Sequence, residues 1–553
     1  MRLERKYPYM KLKVFTRFRR SEVFRCHGLC AWGSVFIILF FFAGCSPKYM
    51  EESADKEVYA IIEAKKMEIA ADELQDMDRG VPEKSIIFDL REAIIRASAS
   101  NRDYQSRRED VYLNILNLTY KRYEFRNRYT LGGSFDWQGG GNEDGSAGGS
   151  LNMGFLRWLS TGAEITLDIS KDFLRYLTGD KRTDIQTIIS LNLLQPLIRG
   201  AGREIAQEGL IQAERDAIYE IRSFLRYQKE FSVEVADRYL NLLRLNNRKE
   251  NFFNNYESLK RTRERIEMLA DAGRMPAIQV DQAKQNEYDA HQRWLTSVNS
   301  YNSALDNFKI FLGLNSEAQI GLDGKLLQHF IETGITGIDV ELEDFLAFAL
   351  SRRMDLLTRH DRLEDARRKV KVAQNDLRTQ LNLNVGINAS TEESSSPTVD
   401  FQAPSYTSGL DLDLPIDNLS ERNQYKQALI SLKRAERDFE NKTDTVRLEV
   451  AQQYRNLEEA YQSYLIQQRS MELASQRIES INLLLEAGRA AIRDLLEAED
   501  AYLNAQNTLA DEVVKYTIAY LRFLYLAESL EVDDNGVWKG DIYEKVTKKN
   551  IQE

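Results

Sequence analysis

LLEAGRAAIRDLLEA, residues 484–498, decides how the chain is read, because it occurs almost twice: LADAGRMPAIQVDQA fills 269–283. Each copy sets Ala-Gly-Arg between two long helical patterns. Glycine turns a chain at positive φ without steric cost, so each copy predicts the tip of a helical hairpin. The copies lie 215 residues apart, and that offset holds without a gap from VEVADRYLNL (233–242) and LEVAQQYRNL (448–457) through Ala283 and Ala498. Upstream, AERD at 213–216 recurs at 435–438, an offset of 222. The difference of seven residues is about two helical turns and keeps the facing stripe nearly in phase. A further pair, DLREAIIRASASNRDY (89–104) and ELEDFLAFALSRRMDL (341–356), is offset by 252. The chain therefore predicts two copies of one elongated unit rather than a string of ordinary domains.

Working outward from the tips, no proline occurs between Pro196 and Pro276 and none after Pro415, so nothing forces a kink in the long helical patterns. Val450, Tyr454, Leu457, Tyr461 and Tyr464 keep the heptad spacing of a coiled-coil seam. A helix of about 70 residues is about 105 Å long, which suits a tube or a spacer. Leu90–Tyr120 reads as a helix ahead of the first unit.

Between these helices the period changes to two. Leu131, Gly133, Phe135 and Trp137 alternate with polar or small residues, as do Leu151, Met153 and Phe155. Ile165, Leu167 and Ile169 alternate with Thr166, Asp168 and Ser170, and Ile185–Leu193 continues the pattern. In the second half Leu381, Leu383, Val385 and Ile387 alternate with Asn382, Asn384, Gly386 and Asn388, and Leu410, Leu412 and Leu414 with Asp411 and Asp413. Such strands suit a sandwich or a membrane barrel. Asp and Asn on the inward face fit a wet lumen better than a dry core, and a barrel removes the exposed edges. Leu314–Val340 and Glu531–Glu553 break the periodicity and read as small elements around the helices.

The start of the chain is a different kind of sequence. A basic stretch (Arg17, Arg19, Arg20, Arg25) precedes the apolar run Ala31–Ala43, then Gly44 and Cys45. The run is too short for an ordinary transmembrane helix and has the form of a secretory signal. The cysteine directly after it resembles a bacterial lipobox, which implies acylation of Cys45 and, with Ser46 beside it, sorting to the outer membrane. A plain signal or an N-terminal anchor helix are the other readings of the same run. Residues 1–44 carry nine Lys/Arg and two Asp/Glu, so the remaining 66 basic and 84 acidic residues leave a formal charge of −18. That acidity argues against nucleic acid as a partner. All three cysteines lie in the first 45 residues, which argues against a disulfide framework. The four histidines (His27, His291, His329, His360) are isolated, with no metal-ligand spacing. No serine or cysteine has a nucleophile setting, and Gly200-Ala201-Gly202 lacks the third glycine of a phosphate loop. No cofactor, no metal site and no enzyme activity are expected.

Strands, long helix, tip, long helix and shorter helix, duplicated behind a candidate acylated cysteine, resemble the TolC-like outer-membrane efflux proteins over about residues 86–530. QPLIRGAG (195–202) also looks like the strand-to-helix junction of many members. The resemblance implies a mainly α fold with a membrane β-barrel, built from a duplicated strand pair and long antiparallel coiled-coil helices and closed as a trimer. On that reading 1–44 is a signal peptide and 45–85 an acylated strap. Residues 86–313 form the first repeat, with barrel strands in 129–194 and a tip at 272–274. An equatorial insert follows at 314–340. Residues 341–530 form the second repeat, with strands in 381–414 and a tip at 487–489, and 531–553 is a C-terminal tail. Four strand candidates lie in 129–194, where the family's simplest members have two, so the barrel has extra strands or a hairpin projects outside it.

The same resemblance implies function. Such a chain is the passive exit duct of a tripartite efflux or type I secretion system, anchored in the outer membrane and extending into the periplasm. It works with a periplasmic adaptor and an inner-membrane pump. Gly273, Arg274, Gly488 and Arg489 become adaptor-docking positions. Asp494 and Glu497, three apart and so on one helix face, become the acidic lining of the periplasmic entrance. The first repeat has Gln279 and Gln282 there, and Ala490 stands where the family often carries a basic gate residue. Asn382, Asn384, Asp411 and Asp413 become pore lining. The reading from another class is a periplasmic coiled-coil scaffold lipoprotein without a pore.

Overall fold

The computed structural model describes residues 47–69, 87–140, 143–177, 183–337, 341–391, 402–414, 416–487, 489–533 and 535–539. Cys45, Gly488, Pro415 and the last 14 residues lie outside them. The chain divides at Tyr59/Ala60 into two units. The division falls inside helix α1 (Pro47–Ile69), and every other element belongs to the second unit.

That unit opens with a short strand, β1 (Ile87–Phe88), and the helices α2 (Leu90–Ser100) and α3 (Arg102–Glu124). The single helix expected over 90–120 is therefore two. Asn101 breaks it: its backbone is extended at φ −68° and ψ 130°, and its side chain accepts from the Tyr104 N–H and caps α3. Its Nδ2 also donates to the Phe311 carbonyl at 2.8 Å. The break was hidden because the apolar stripe (Leu90, Ile94, Ala97, Tyr104) runs on through it and no glycine or proline marks it. The second repeat breaks at the equivalent position 353, between α8 (Leu342–Arg352) and α9 (Met354–Asp376).

Strands β2 (Arg128–Gly140), β3 (Glu143–Trp158), β4 (Glu164–Tyr176) and β5 (Thr183–Pro196) form a meander. Strands β7 (Gln380–Ser390) and β8 (Ser405–Asp413) continue it into one antiparallel sheet, in the order β2-β3-β4-β5-β7-β8. The extra hairpin of the first repeat is thus part of the sheet. Register keeps the two faces distinct across all six strands. One row reads Tyr129, Phe155, Leu167, Leu191, Ile387, Tyr406, and the next reads Thr130, Gly154, Asp168, Ser190, Asn388, Ser405. The apolar face is exposed, with Trp137 76% and Tyr406 74% accessible.

A short helix α4 (Arg203–Ala206) leads into α5 (Glu208–Asp271), which turns into α6 (Ala277–Phe311). The second repeat matches it with α10 (Leu419–Glu486) and α11 (Ile492–Leu526). At 64 and 68 residues, α5 and α10 are about 95–100 Å long. No described helix is long and apolar enough to cross a membrane. The main core lies midway along these helices. It joins the seam residues Val450, Leu457 and Tyr464 to Tyr239, Phe308, Tyr516 and Phe523. The residues after α6 wrap this core. Strand β6 (Gly321–Leu322) pairs in parallel with β1, and α7 (Lys325–Thr333) buries Leu327 and Phe330. The described residues beyond α11 dock there too, with the Trp538 indole N–H donating to Ser232 Oγ at 3.0 Å.

Candidate functional site: hairpin tips and sheet faces

Both tips are closed by main-chain bonds. At the first, the Gly273 N–H donates to Ala270 O (2.8 Å) and the Arg274 N–H to Leu269 O (2.9 Å). Gly273 sits at φ +70°. These are the paired bonds of a Schellman turn, which satisfy the last helical carbonyls. At the second, the Arg489 N–H donates to Leu484 O at 2.8 Å, the same bond at an offset of 215. Arg274 and Arg489 are exposed, and so are the neighbouring Met268, Ile278, Leu483 and Leu484. A small core holds the two tips side by side: Ile492 and Leu496 of α11 pack with Ile266 of α5 and Ala283 of α6, and Met275 and Leu485 flank them.

The restart after each turn differs, with a local reason. The Asp494 carboxylate accepts from the Ala491 N–H at 3.0 Å and so serves the start of α11. In the first hairpin the equivalent residue is Pro276, which has no N–H to satisfy, and Gln279 stands where Asp494 does. Glu497 is exposed and pairs with Arg477 of α10 at 2.8 Å. Sequence reasoning missed Arg477. The signal was available, because residues 11 before and 9 after the tip glycine lie opposite each other in an antiparallel hairpin. The first repeat has Thr262 and Gln282 at those positions, so both charges are absent together.

Two residues beyond Glu497, Glu499 is largely enclosed between α5 and α11. Burial pushes its carboxyl up, Ser258 Oγ donates to Oε1 at 3.1 Å, and Oε2 has no hydrogen-bond partner among the described residues. Further ties bind the second hairpin to the first: Arg293–Asp500 at 3.1 Å, Arg244–Asp511 at 2.9 Å and Arg522–Asp237 at 2.6 Å.

At the other end, Asn382, Asn384, Asp411 and Asp413 share the polar face of the sheet. Asn382 is opposite Asp411, Asp413 is opposite Gln380, and Asn384 Nδ2 donates to Asp411 Oδ2. The Gly200-Ala201-Gly202 segment is a joint between sheet and helices. Gly200 (φ +79°) donates from its N–H to Asn375 Oδ1 at 2.8 Å, and a Cβ on Gly162 would lie 2.6 Å from Gly200 O. The turn between β3 and β4 is thereby pressed onto the exit from β5.

Tandem hairpins, a two-faced sheet and a glycine joint between them are the features to compare with known proteins. Residues 346–526 match the family model described as outer membrane efflux protein. Solved structures extend the likeness to the rest of the efflux-protein fold. The outer-membrane channel OprN superposes with a TM-score of 0.56 at 15% identity, covering 82% of this chain and 98% of its own. VceC, an outer membrane protein of Vibrio cholerae, gives 0.58 at 14%, covering 79% and 95%. The MtrE outer membrane channel of Neisseria gonorrhoeae, solved in its open state, gives 0.57 at 12%, covering 85% and 96%. At these identities the likeness establishes the fold. No curated protein matches the chain in sequence.

Proposed function

We propose that the chain is the outer-membrane exit duct of a tripartite efflux or type I secretion system. The observation that carries this is the sheet: one face is mainly apolar and the other mainly polar, and the alternation runs through all six strands. Lys171 and Thr187 are among the polar side chains on the apolar side, and Ile188 and Leu174 among the apolar ones on the polar side. A wall between lipid and water needs that pattern, and a water-soluble sandwich would cover its apolar face with a second layer. The long hairpins joined to the sheet supply a conduit below it. Three copies close the sheet into a barrel and the helices into a tube, and Asn382, Asn384, Asp411 and Asp413 face the lumen. Acylated Cys45 anchors the chain, and residues 45–85 form its strap. The duct is passive: an inner-membrane pump supplies energy, and a periplasmic adaptor engages the tips through Gly273, Arg274, Gly488 and Arg489 with their exposed apolar neighbours.

Asp494 and Glu497 of three chains place six carboxylates around the periplasmic entrance; Arg477 offsets the charge of Glu497, and the ring of Asp494 carboxylates attracts cations and disfavours anions. In planar bilayers under a salt gradient, the purified protein is expected to give a cation-selective reversal potential. The double variant Asp494→Asn/Glu497→Gln moves it toward zero; an unchanged potential removes these residues from the entrance. A protein that yields no conductance at all is the pore-free scaffold instead.

A further inference from the structure

The sheet ends in two unpaired edges. Strands β2 and β8 are its outermost strands, and their described side chains are exposed almost throughout. Neither holds a lysine or a proline, two of the devices that keep a free edge from pairing, and their charges are few: Arg128 and Asp136 on β2, and Asp411 and Asp413 on β8, both on its polar face. Each instead carries large apolar side chains on the same sheet face: Tyr129, Leu131, Phe135 and Trp137 on β2, Tyr406, Leu410 and Leu412 on β8. Edges this long and apolar are templates for another strand.

What fits them is a second copy of this chain. The sheet is antiparallel throughout with six strands, so β2 and β8 run in opposite directions. The β8 of one copy therefore meets the β2 of the next in antiparallel sense, with apolar faces on one side and polar faces on the other. A ring that used only four strands per copy would need the outer edge of β4. That edge is already taken: β3 pairs with β4 from Trp158↔Glu164 to Ser146↔Tyr176, the full length of β4. The hairpin is also fixed at its base, where the β3–β4 turn meets the glycine joint through Gly162 and Gly200. Its rows continue the two faces of the other four strands, as a stretch of wall does.

The geometry points to a ring closed through β2 and β8, in which three copies of six strands give eighteen rather than twelve. The inference rests on the exit-duct reading and fixes its interface and its width. Barrel diameter grows roughly linearly with strand number, so the lumen is about 1.5 times as wide as that of a twelve-stranded ring.

Cysteine pairs in the full-length protein, in membranes, test this. Thr130→Cys, Gly132→Cys or Ser134→Cys on β2 is combined in turn with Ser405→Cys, Thr407→Cys or Gly409→Cys on β8. All lie on the polar face, where directly opposed residues bring Cβ atoms within disulfide reach. Oxidation is expected to give, for the β2/β8 pairs in register, a non-reducing gel ladder that ends at three copies. Asp168→Cys on β4 combined with the same β8 sites is expected to give none. Crosslinking of β4 to β8 in its place overturns the eighteen-stranded ring and leaves the duct standing. Dimers from β2 single cysteines overturn it in favour of edge-to-edge pairing, and a trimer that crosslinks through neither strand overturns it too. A monomer by native mass spectrometry removes the duct reading along with the ring.

Discussion

Arg353 is the most enclosed charge among the described residues, with its side chain 1% exposed. It grips Asp355 through Nε (3.0 Å) and Nη2 (2.8 Å) and reaches Glu449 at 2.7 Å. Asp355 also meets Lys442 at 2.8 Å and Arg226 at 3.6 Å, and Arg226 pairs with Glu528 at 3.0 Å. One network thus ties the start of α9 to α5, α10 and the residues after α11. Arg353→Ala removes two charge-assisted bonds to Asp355 and the contact with Glu449 while Lys442 and Arg226 still face Asp355, so it is expected to cost about 1.5–3 kcal/mol, read as a lower thermal midpoint in detergent. Burial pushes the Asp355 carboxyl up, but Arg353, Arg226 and Lys442 outweigh it and hold it well below the ordinary carboxylate range. A depressed pKa gives stability above the unfolded-state value and loses it as pH falls. The gap between wild type and Asp355→Asn in thermal midpoint is therefore expected to be full at neutral pH, to begin narrowing near the unfolded carboxylate value of about 4, and to keep narrowing as pH falls further. In the sequence Asp355 showed only as a repeat match to Asp103. Nothing local marked Arg353, because the groups that complete its network, Glu449 and Lys442 on α10 and Arg226 on α5, lie far along the chain.

At the scale of elements, most of the fold could be read in advance. Period-two stretches became strands, and proline-free heptad stretches became helices, because both periods follow from backbone geometry alone. The helix breaks at Asn101 and Arg353 escaped, since they are imposed by contacts with residues far along the chain. Gly313 shows how strong those contacts are. Its φ of +72° nearly equals that of Gly273, but a Cβ on Gly313 would lie 2.3 Å from Ser100 O, beside the Asn101 break, while one on Gly273 would meet nothing within 4 Å. Gly273→Ala is expected to cost about 1 kcal/mol, the penalty of the left-handed backbone. Gly313→Ala pays the same penalty and also forces α6 away from the α2–α3 corner. Parallel thermal melts should rank Gly313→Ala clearly below Gly273→Ala; equal melts would refute the close approach.

For the whole molecule, the two faces of the sheet carry the functional argument. Leu167 and Asp168 are adjacent on β4 and lie on opposite faces. An arginine on a lipid-facing barrel position costs about 2–4 kcal/mol near the bilayer midplane, while lumen positions are tolerant. Leu167→Arg is expected to drain the protein from the outer-membrane fraction, and Asp168→Arg to leave it there. Equal behaviour of the two would show that the faces are wrongly assigned. Alternation within each strand was visible in the sequence. That four strands of one repeat and two of the other lie in one sheet was not, because register between strands distant in sequence leaves no local mark.

The hairpin ends have one more consequence. Each turn is held by main-chain hydrogen bonds, and at the first of them the glycine supplies the required backbone shape. The fold therefore asks almost nothing of the exposed side chains around that turn. Those positions are free to mutate without unfolding the hairpin. Duplication has given one chain two such ends, and they have already diverged, with Pro276 and Gln279 at one and Ala491 and Asp494 at the other. If the tips dock a partner as proposed, recognition can drift at one end while the other keeps its older fit, so a change of partner need never pass through a variant that has lost both.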